Sequence, residues 1–171
     1  MVEKDAVPLE IERKFLIRMP RTEALLTTGV RVWHICQTYL IAPQGLSRRV
    51  RKIREGDAVR YVYTEKRRLS PTTAEEREHE LNEAKYAALL TQRDPRRQTI
   101  KKTRYVIPYE GHAIEVDIYD FWQDRATAEV ELSAEDEAFS LPPCLSVLRE
   151  ITTDKRYKNA ALARELPNDP I

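Results

Sequence analysis

Pro8-Leu9-Glu10-Ile11-Glu12-Arg13-Lys14-Phe15-Leu16-Ile17 is the stretch whose reading decides the fold of this chain. In a strand, successive side chains alternate between faces, so Glu10, Glu12 and Lys14 share one side while Ile11, Arg13 and Phe15 take the other. Two carboxylates and an ammonium then stand in a row. A half-buried strand places aliphatic side chains on one clean face, whereas here the repeated positions carry opposite charges, a set able to hold a metal and an anion together. Alone, the pattern equally describes a solvated strand face, because most charged residues are exposed. Its recurrence along the chain gives it weight.

Outward from that strand, residues 19–28 with Gly29 read as a short helix, and residues 31–41 as a strand that stops at Pro43-Gln44-Gly45. Residues 47–54 and 58–66 flank Glu55-Gly56-Asp57 as a hairpin that sets Arg49 and Arg51 on one face and ends at Lys66. Glu78 and Glu80 alternate in residues 75–81, and Asn82 caps a helix running to about Gln92 with Tyr86, Leu89 and Leu90 on its apolar stripe. A second hairpin, residues 98–109 and 113–119, pairs Lys102 with Arg104 and Glu115 with Asp117. Glu129 and Glu131 repeat the pattern in residues 128–132. Ser133-Ala134-Glu135-Asp136 reads as a helix start closed by Pro142-Pro143, the stretch around Leu145 and Leu148 as an amphipathic segment, residues 160–166 as a short helix, and residues 167–171 as a frayed tail. Short helices and about eight strands on hairpin-length connections predict an α+β, mainly β fold: an eight-stranded antiparallel barrel closed into a tunnel, with short helices outside.

The 171 residues suffice for a single domain with its core over about residues 8–163 and no need of disulfides. Charged residues make up 33%, yet Lys+Arg 29 against Asp+Glu 28 leaves a net charge of +1, which argues against nucleic acid as a partner. Cys36 and Cys144 lack metal-like spacing and read as inert core residues in a reducing cytoplasm. No apolar run approaches a membrane span, and MVEKDAVPLE lacks an apolar signal core, so the expectation is a cytoplasmic protein away from membranes. His34, His79 and His112 are scattered and read as surface or turn residues, and Trp33 and Trp122 as packing.

The same-face sets are sorted by sign. Acids come as E-x-E, E-x-D and E-x-E, and bases as R-x-R and K-x-R, whereas solubility alone favours mixed signs. Turned inward, they would line a polar tunnel, and an unpaired buried ion costs several kcal/mol. A divalent cation with a polyanion resolves both charges: carboxylate oxygens take the metal, and guanidinium and ammonium groups clamp phosphate oxygens.

These residues resemble the CYTH superfamily, also called triphosphate tunnel metalloenzymes. The resemblance rests on Glu10-x-Glu12-x-Lys14, Arg49-x-Arg51, Thr64-Glu65-Lys66, Arg77-Glu78-His79-Glu80, Lys102-Thr103-Arg104, Glu115-Val116-Asp117, Glu129-Val130-Glu131 and Asp154-Lys155-Arg156-Tyr157, an ordered set across almost the full chain. It implies a tunnel binding triphosphate with Mg²⁺ or Mn²⁺, two ions in number. Glu10, Glu12, Glu129 and Glu131 would be the metal ligands, completed by Glu78, Glu80 and Asp117. Lys14, Arg49, Arg51, Lys66, Lys102, Arg104 and Lys155 would clamp phosphate. The implied catalytic set is Glu10, Glu12, Lys14, Lys66, Glu129 and Glu131. The implied activity is hydrolysis of inorganic triphosphate (tripolyphosphate) to phosphate and diphosphate by a monomer or homodimer. The alternatives are an adenylate cyclase, an organic triphosphatase acting on thiamine or nucleoside triphosphate, and a non-catalytic receptor for triphosphate or polyphosphate. Many relatives carry a Gly-Leu loop where Tyr119 to Ala126 brings bulky aromatics.

Overall fold

The computed structural model of the protein describes residues 6–171. Eight antiparallel strands close into the expected barrel: β1 (Leu9–Arg18), β2 (Arg31–Leu40), β3 (Ser47–Glu55), β4 (Ala58–Arg68), β5 (Thr73–Leu81), β6 (Ile100–Tyr109), β7 (His112–Tyr119) and β8 (Arg125–Leu132). They run in the order β5-β4-β3-β2-β6-β7-β8-β1, and β1 returns to β5 through Leu9↔Glu75, Glu10↔Ala74 and Ile11↔Thr73. Past Ile11, β1 and β5 diverge. A ninth strand, β9 (Val147–Glu150), takes the vacated side of β1, pairing Phe15 with Glu150 and Leu16 with Arg149.

Turn chemistry sets the hairpins. Glu110 (φ 45°) and Gly111 (φ 81°) both sit in the left-handed region between β6 and β7, the two-residue turn whose twist matches antiparallel strands. The helices are short: α1 (Thr22–Leu25) is one turn, α2 (Glu83–Leu90) starts at Asn82, whose side chain accepts from Lys85 N at 2.8 Å, and α3 (Asn159–Leu162) follows a 3-10 turn at Lys155–Tyr157.

The aliphatic core lies largely outside the barrel wall. Ile17, Ile114, Val116 and Val130 are fully buried on the outer faces of β1, β7 and β8, under Leu25 and Leu145. Each such side chain contributes about 1.5–3 kcal/mol. Leu40, Val50 and Tyr63 pack against Tyr86 of α2. Tyr119, Trp122, Tyr157 and Leu162 form a third cluster at one end, with Tyr119 stacked on Phe121 at 4.9 Å. The aromatic loop therefore packs the fold. The inner faces carry the charges, apart from Leu16, Tyr39, Ile100 and Tyr119 of that third cluster and an apolar patch of Ile35, Ile53 and Val62 beside Trp33.

Four expectations change. Residues 133–136 form turns rather than a helix. Glu137 does reach back to Ser133 N, but it also receives His112 Nε2 at 2.8 Å, while Thr73 donates to Glu135 at 3.1 Å, so these side chains bind the barrel instead of propagating a turn. Residues 147–150, read as an amphipathic segment, are β9. The tail is held, since Asp169 accepts from Arg149 at 2.9 Å and from Tyr157 at 2.8 Å. Cys144 is exposed and Cys36 half-buried, so neither belongs to the core. No helix among the described residues is long and apolar enough to cross a membrane.

Candidate active site

Because the barrel is closed, strand alternation sends every second side chain of β1, β3, β4, β5, β6, β7 and β8 into one lumen. A cavity of about 720 Å³ results. Its wall includes Glu10, Glu12, Lys14, Arg49, Arg51, Lys66, Glu78, Lys102, Arg104, Glu129 and Glu131, which the sequence pattern had placed together. Lys14 Nζ lies 2.7 Å from Glu129, and Arg51 lies 2.5 Å from Glu78, which also accepts from Thr64 at 3.0 Å. Lys66 bonds Glu10 and lies 3.7 Å from Glu12 and 3.4 Å from Glu76.

Three expected ligands fall elsewhere. Asp117 is fully buried behind the wall, where it accepts from Lys102 at 2.5 Å and from Arg104 at 2.7 and 2.8 Å; it orients two bases and has no face toward the cavity. Glu80, near the end of β5, is exposed and outside the cavity lining. Lys155 is exposed on the 3-10 turn, because the cap from Asp154 turns that residue outward. The lysine of this segment that enters the lumen is Lys158, whose Nζ lies 3.5 Å from Glu12.

Other lining groups carried weaker signals. Glu76 continues the alternation of Glu78 backward, Arg68 continues that of Lys66 forward and lies 3.3 Å from Glu12, and Glu115 bonds Arg104 from the face it shares with Asp117. Gln37 and Tyr39 also line the cavity, Gln37 Nε2 donating to the Tyr39 hydroxyl at 2.9 Å. Lys158 lies in coil, where no periodicity announces it.

The titration directions follow from crowding. Burial, then the Glu12 charge, pushes Glu10 up to about 7 despite Lys66. Burial also raises Glu131, with Glu76 and Glu12 adding to it. Burial and Glu129 push Glu12 upward, but Lys66, Lys158 and Lys14 outweigh them and hold it below the ordinary carboxylate value. Burial lowers Arg51 to about 10, with Arg49 pushing the same way, and lowers Lys102 to about 8 in spite of Asp117. Arg49 Nε, Arg51 Nε and Glu76 Oε2 are buried without a hydrogen-bond partner. The lumen is thus built for charge that the protein alone does not fully supply.

Carboxylate oxygens are the hard donors that suit Mg²⁺ or Mn²⁺, and the burial and neighbouring carboxylates that raise Glu10 and Glu131 are what a divalent cation would offset. Among the described residues, no three acidic, histidine or cysteine side chains are grouped as a ready metal cage. Lys66 occupies the space between Glu10, Glu12 and Glu76, and Lys14 is bonded to Glu129. The donor chemistry fits a hard divalent ion, with ammonium groups standing among the ligands.

A closed antiparallel barrel whose lumen is lined by sorted acids and bases defines a triphosphate-tunnel type of protein. No protein-family model matches the chain. A curated relative, the inorganic triphosphatase of Nitrosomonas europaea, is 32% identical over 164 residues, covering 92% of this chain and 99% of its own. The crystal structure of the inorganic triphosphatase NE1496 matches with a TM-score of 0.57 at 30% identity, over 92% of this chain and 96% of that one. A protein from Pyrococcus horikoshii OT3 shares the fold with a TM-score of 0.59 at 22% identity, over 74% of this chain and 80% of its own. The chain belongs to the CYTH superfamily of triphosphate tunnel proteins, together with that inorganic triphosphatase.

Proposed function

We propose that this protein is a metal-dependent hydrolase of inorganic triphosphate, converting it with water to phosphate and diphosphate. The observation that carries this reading is the opposition inside one lumen of Glu10, Glu12, Glu129 and Glu131 to Arg49, Arg51, Lys66, Lys102 and Arg104. The relative named as an inorganic triphosphatase supports it over nearly the whole chain.

Glu10, Glu12, Glu129 and Glu131, joined by Glu76, would hold Mg²⁺ or Mn²⁺, two ions in all. When bound, the metal supplies Lewis-acid polarisation of phosphoryl oxygens and a more acidic bound water. The chain does the rest. Arg49 and Arg51 bring guanidinium donors into the lumen, two of them buried and unbonded, and a triphosphate supplies the oxygens they lack. Lys14, Lys102, Arg104 and Lys158 add charge that draws density from the leaving diphosphate oxygen as its bond to the terminal phosphorus breaks and water takes its place. Asp117 holds Lys102 and Arg104 in fixed positions, so little reorganisation is needed. Lys66 is shared among three carboxylates, and its ammonium would be free to meet phosphate where those carboxylates held a metal.

An inorganic rather than organic substrate is favoured at Trp33, the tryptophan on the cavity wall. Two guanidiniums already engage its ring, Arg31 at 5.1 Å and Arg60 at 4.8 Å from the centroid. A nucleobase or thiazolium would have to displace them to stack. Release of phosphate from tripolyphosphate, ATP and thiamine triphosphate, each with Mg²⁺ and Mn²⁺, tests the reading: fastest release from tripolyphosphate is expected. Binding without turnover, or a cyclic nucleotide product from ATP, would overturn it.

A further inference from the structure

A second cavity, of about 420 Å³, opens on the other side of the β2–β3 loop, lined by Arg48, Arg96, Arg97 and Arg164 around a single carboxylate, Asp94. We propose that this cleft is a second anion site, outside the tunnel, that takes an inorganic phosphate oxyanion.

Charge is the first argument. Asp94 is almost fully buried and spent on two of the arginines, accepting from Arg96 Nε at 3.0 Å and from Arg97 Nε at 3.3 Å. Four guanidiniums against one carboxylate leave a concave surface with excess positive charge. Arginines kept for solubility alone would be interspersed with acids.

Preorganisation is the second. Arg97 also bonds the Ala160 carbonyl and lies 5.3 Å over the Tyr39 ring. Arg48 is fixed by the Tyr63 hydroxyl at 2.8 Å and the Ile41 carbonyl at 3.1 Å. A guanidinium has five N–H donors in a planar fork, so arginines held this way retain donors for an oxyanion without further loss of side-chain freedom. Arg164 is exposed at the rim and enters no ion pair among the described residues.

Placement is the third. Alternation along β3 turns Arg49 into the lumen and Arg48 outward, so the two cavities lie back to back. Tyr39, Gly45, Leu46 and Ser47 line both. The volume suits one or two phosphoryl groups. The occupant is either free phosphate or diphosphate, or the trailing end of a longer polyphosphate whose head lies in the tunnel.

The test titrates the whole protein calorimetrically with inorganic diphosphate, with chelator present so that nothing turns over. Two binding events are expected in the wild type. One should be unchanged in Arg51→Ala, which weakens the tunnel event, and weaken about tenfold in Arg164→Gln, an exposed position whose variant keeps the fold. Arg96→Gln provides an independent second variant. If long-chain polyphosphate loses more affinity than diphosphate in Arg164→Gln, the cleft holds a chain end; equal loss assigns it to the free anion. A single event in the wild type, or a second event indifferent to both cleft variants, overturns the proposal.

Discussion

The two sides of the lumen are built on the same alternation and differ in how their charges are satisfied. On the β6–β7–β8 side, Asp117 takes three hydrogen bonds from Lys102 and Arg104, Arg104 also bonds Glu115, and Lys14 meets Glu129 at 2.7 Å. On the β3–β4–β5 side, Lys66 is divided among Glu10, Glu12 and Glu76, Arg49 comes no nearer than 3.9 Å to Glu76, and Arg49 Nε and Arg51 Nε have no hydrogen-bond partner. The first side, Glu131 excepted, pairs its charges without a ligand. The second is finished by one. A buried ion pair is costly to break from one end, whereas unmet donors and acceptors hold their free energy in reserve for binding. The same residue types therefore hold the fold together on one side and await substrate on the other.

The contrast is broken most forcefully at Asp117. Asp117→Asn leaves Lys102 and Arg104 buried without a carboxylate and should cost about 3–5 kcal/mol, a fall of roughly 10 °C in melting temperature read by calorimetry. A loss under about 1 kcal/mol would show that the paired side is no structural keystone.

Glu12→Gln should act in the opposite sense. Turnover of tripolyphosphate should drop about a hundredfold, near 3 kcal/mol of transition-state stabilisation, while the melting temperature of the metal-free protein falls less than in Asp117→Asn. Equal damage to stability and rate would erase the distinction between the sides. Arg51→Ala should weaken tripolyphosphate affinity by about 10- to 100-fold with a smaller effect on the rate at saturation. Its opposite, a loss confined to the saturated rate, would move Arg51 from binding to chemistry.

The smallest effect is a proton count. With Glu10 raised to about 7, the metal-free protein carries a proton there that the unfolded chain gives up near the ordinary 4.5. The folded state therefore binds more protons across that window, and this group's contribution to stability falls as pH rises through it. Mg²⁺ or Mn²⁺ needs the ionised carboxylate, so binding near pH 6 should release close to one proton and near pH 8 far less. Binding enthalpies in buffers of different ionisation heat measure it, and a release independent of pH would remove Glu10 from the ligand set.

Much of this was legible because period-two alternation is a long-range signal in a barrel: six E-x-E-like or R-x-R-like pairs, once read as strands, could share one interior. Depth along a strand was not legible. Glu115 and Asp117 share a face, yet Glu115 reaches the cavity while Asp117 is walled in by its two bases, a difference set by barrel tilt and neighbouring side-chain length. Lys158 was invisible for another reason, since coil has no period. β9 is four residues long, too short for alternation to show, and exists because β1 and β5 part company after Ile11. The tail was read as frayed because its anchors, Arg149 and Tyr157, are distant from any repeating pattern that Asp169 could join.

The joint between β1 and β5 spans three residue pairs, whereas β3 and β4 share nine. Amide exchange should therefore be fastest along that short joint, well before the barrel as a whole lets go. Glu10 sits within it and Glu76 one residue beyond, so an ion held by their carboxylates would latch the cylinder shut along its weakest line.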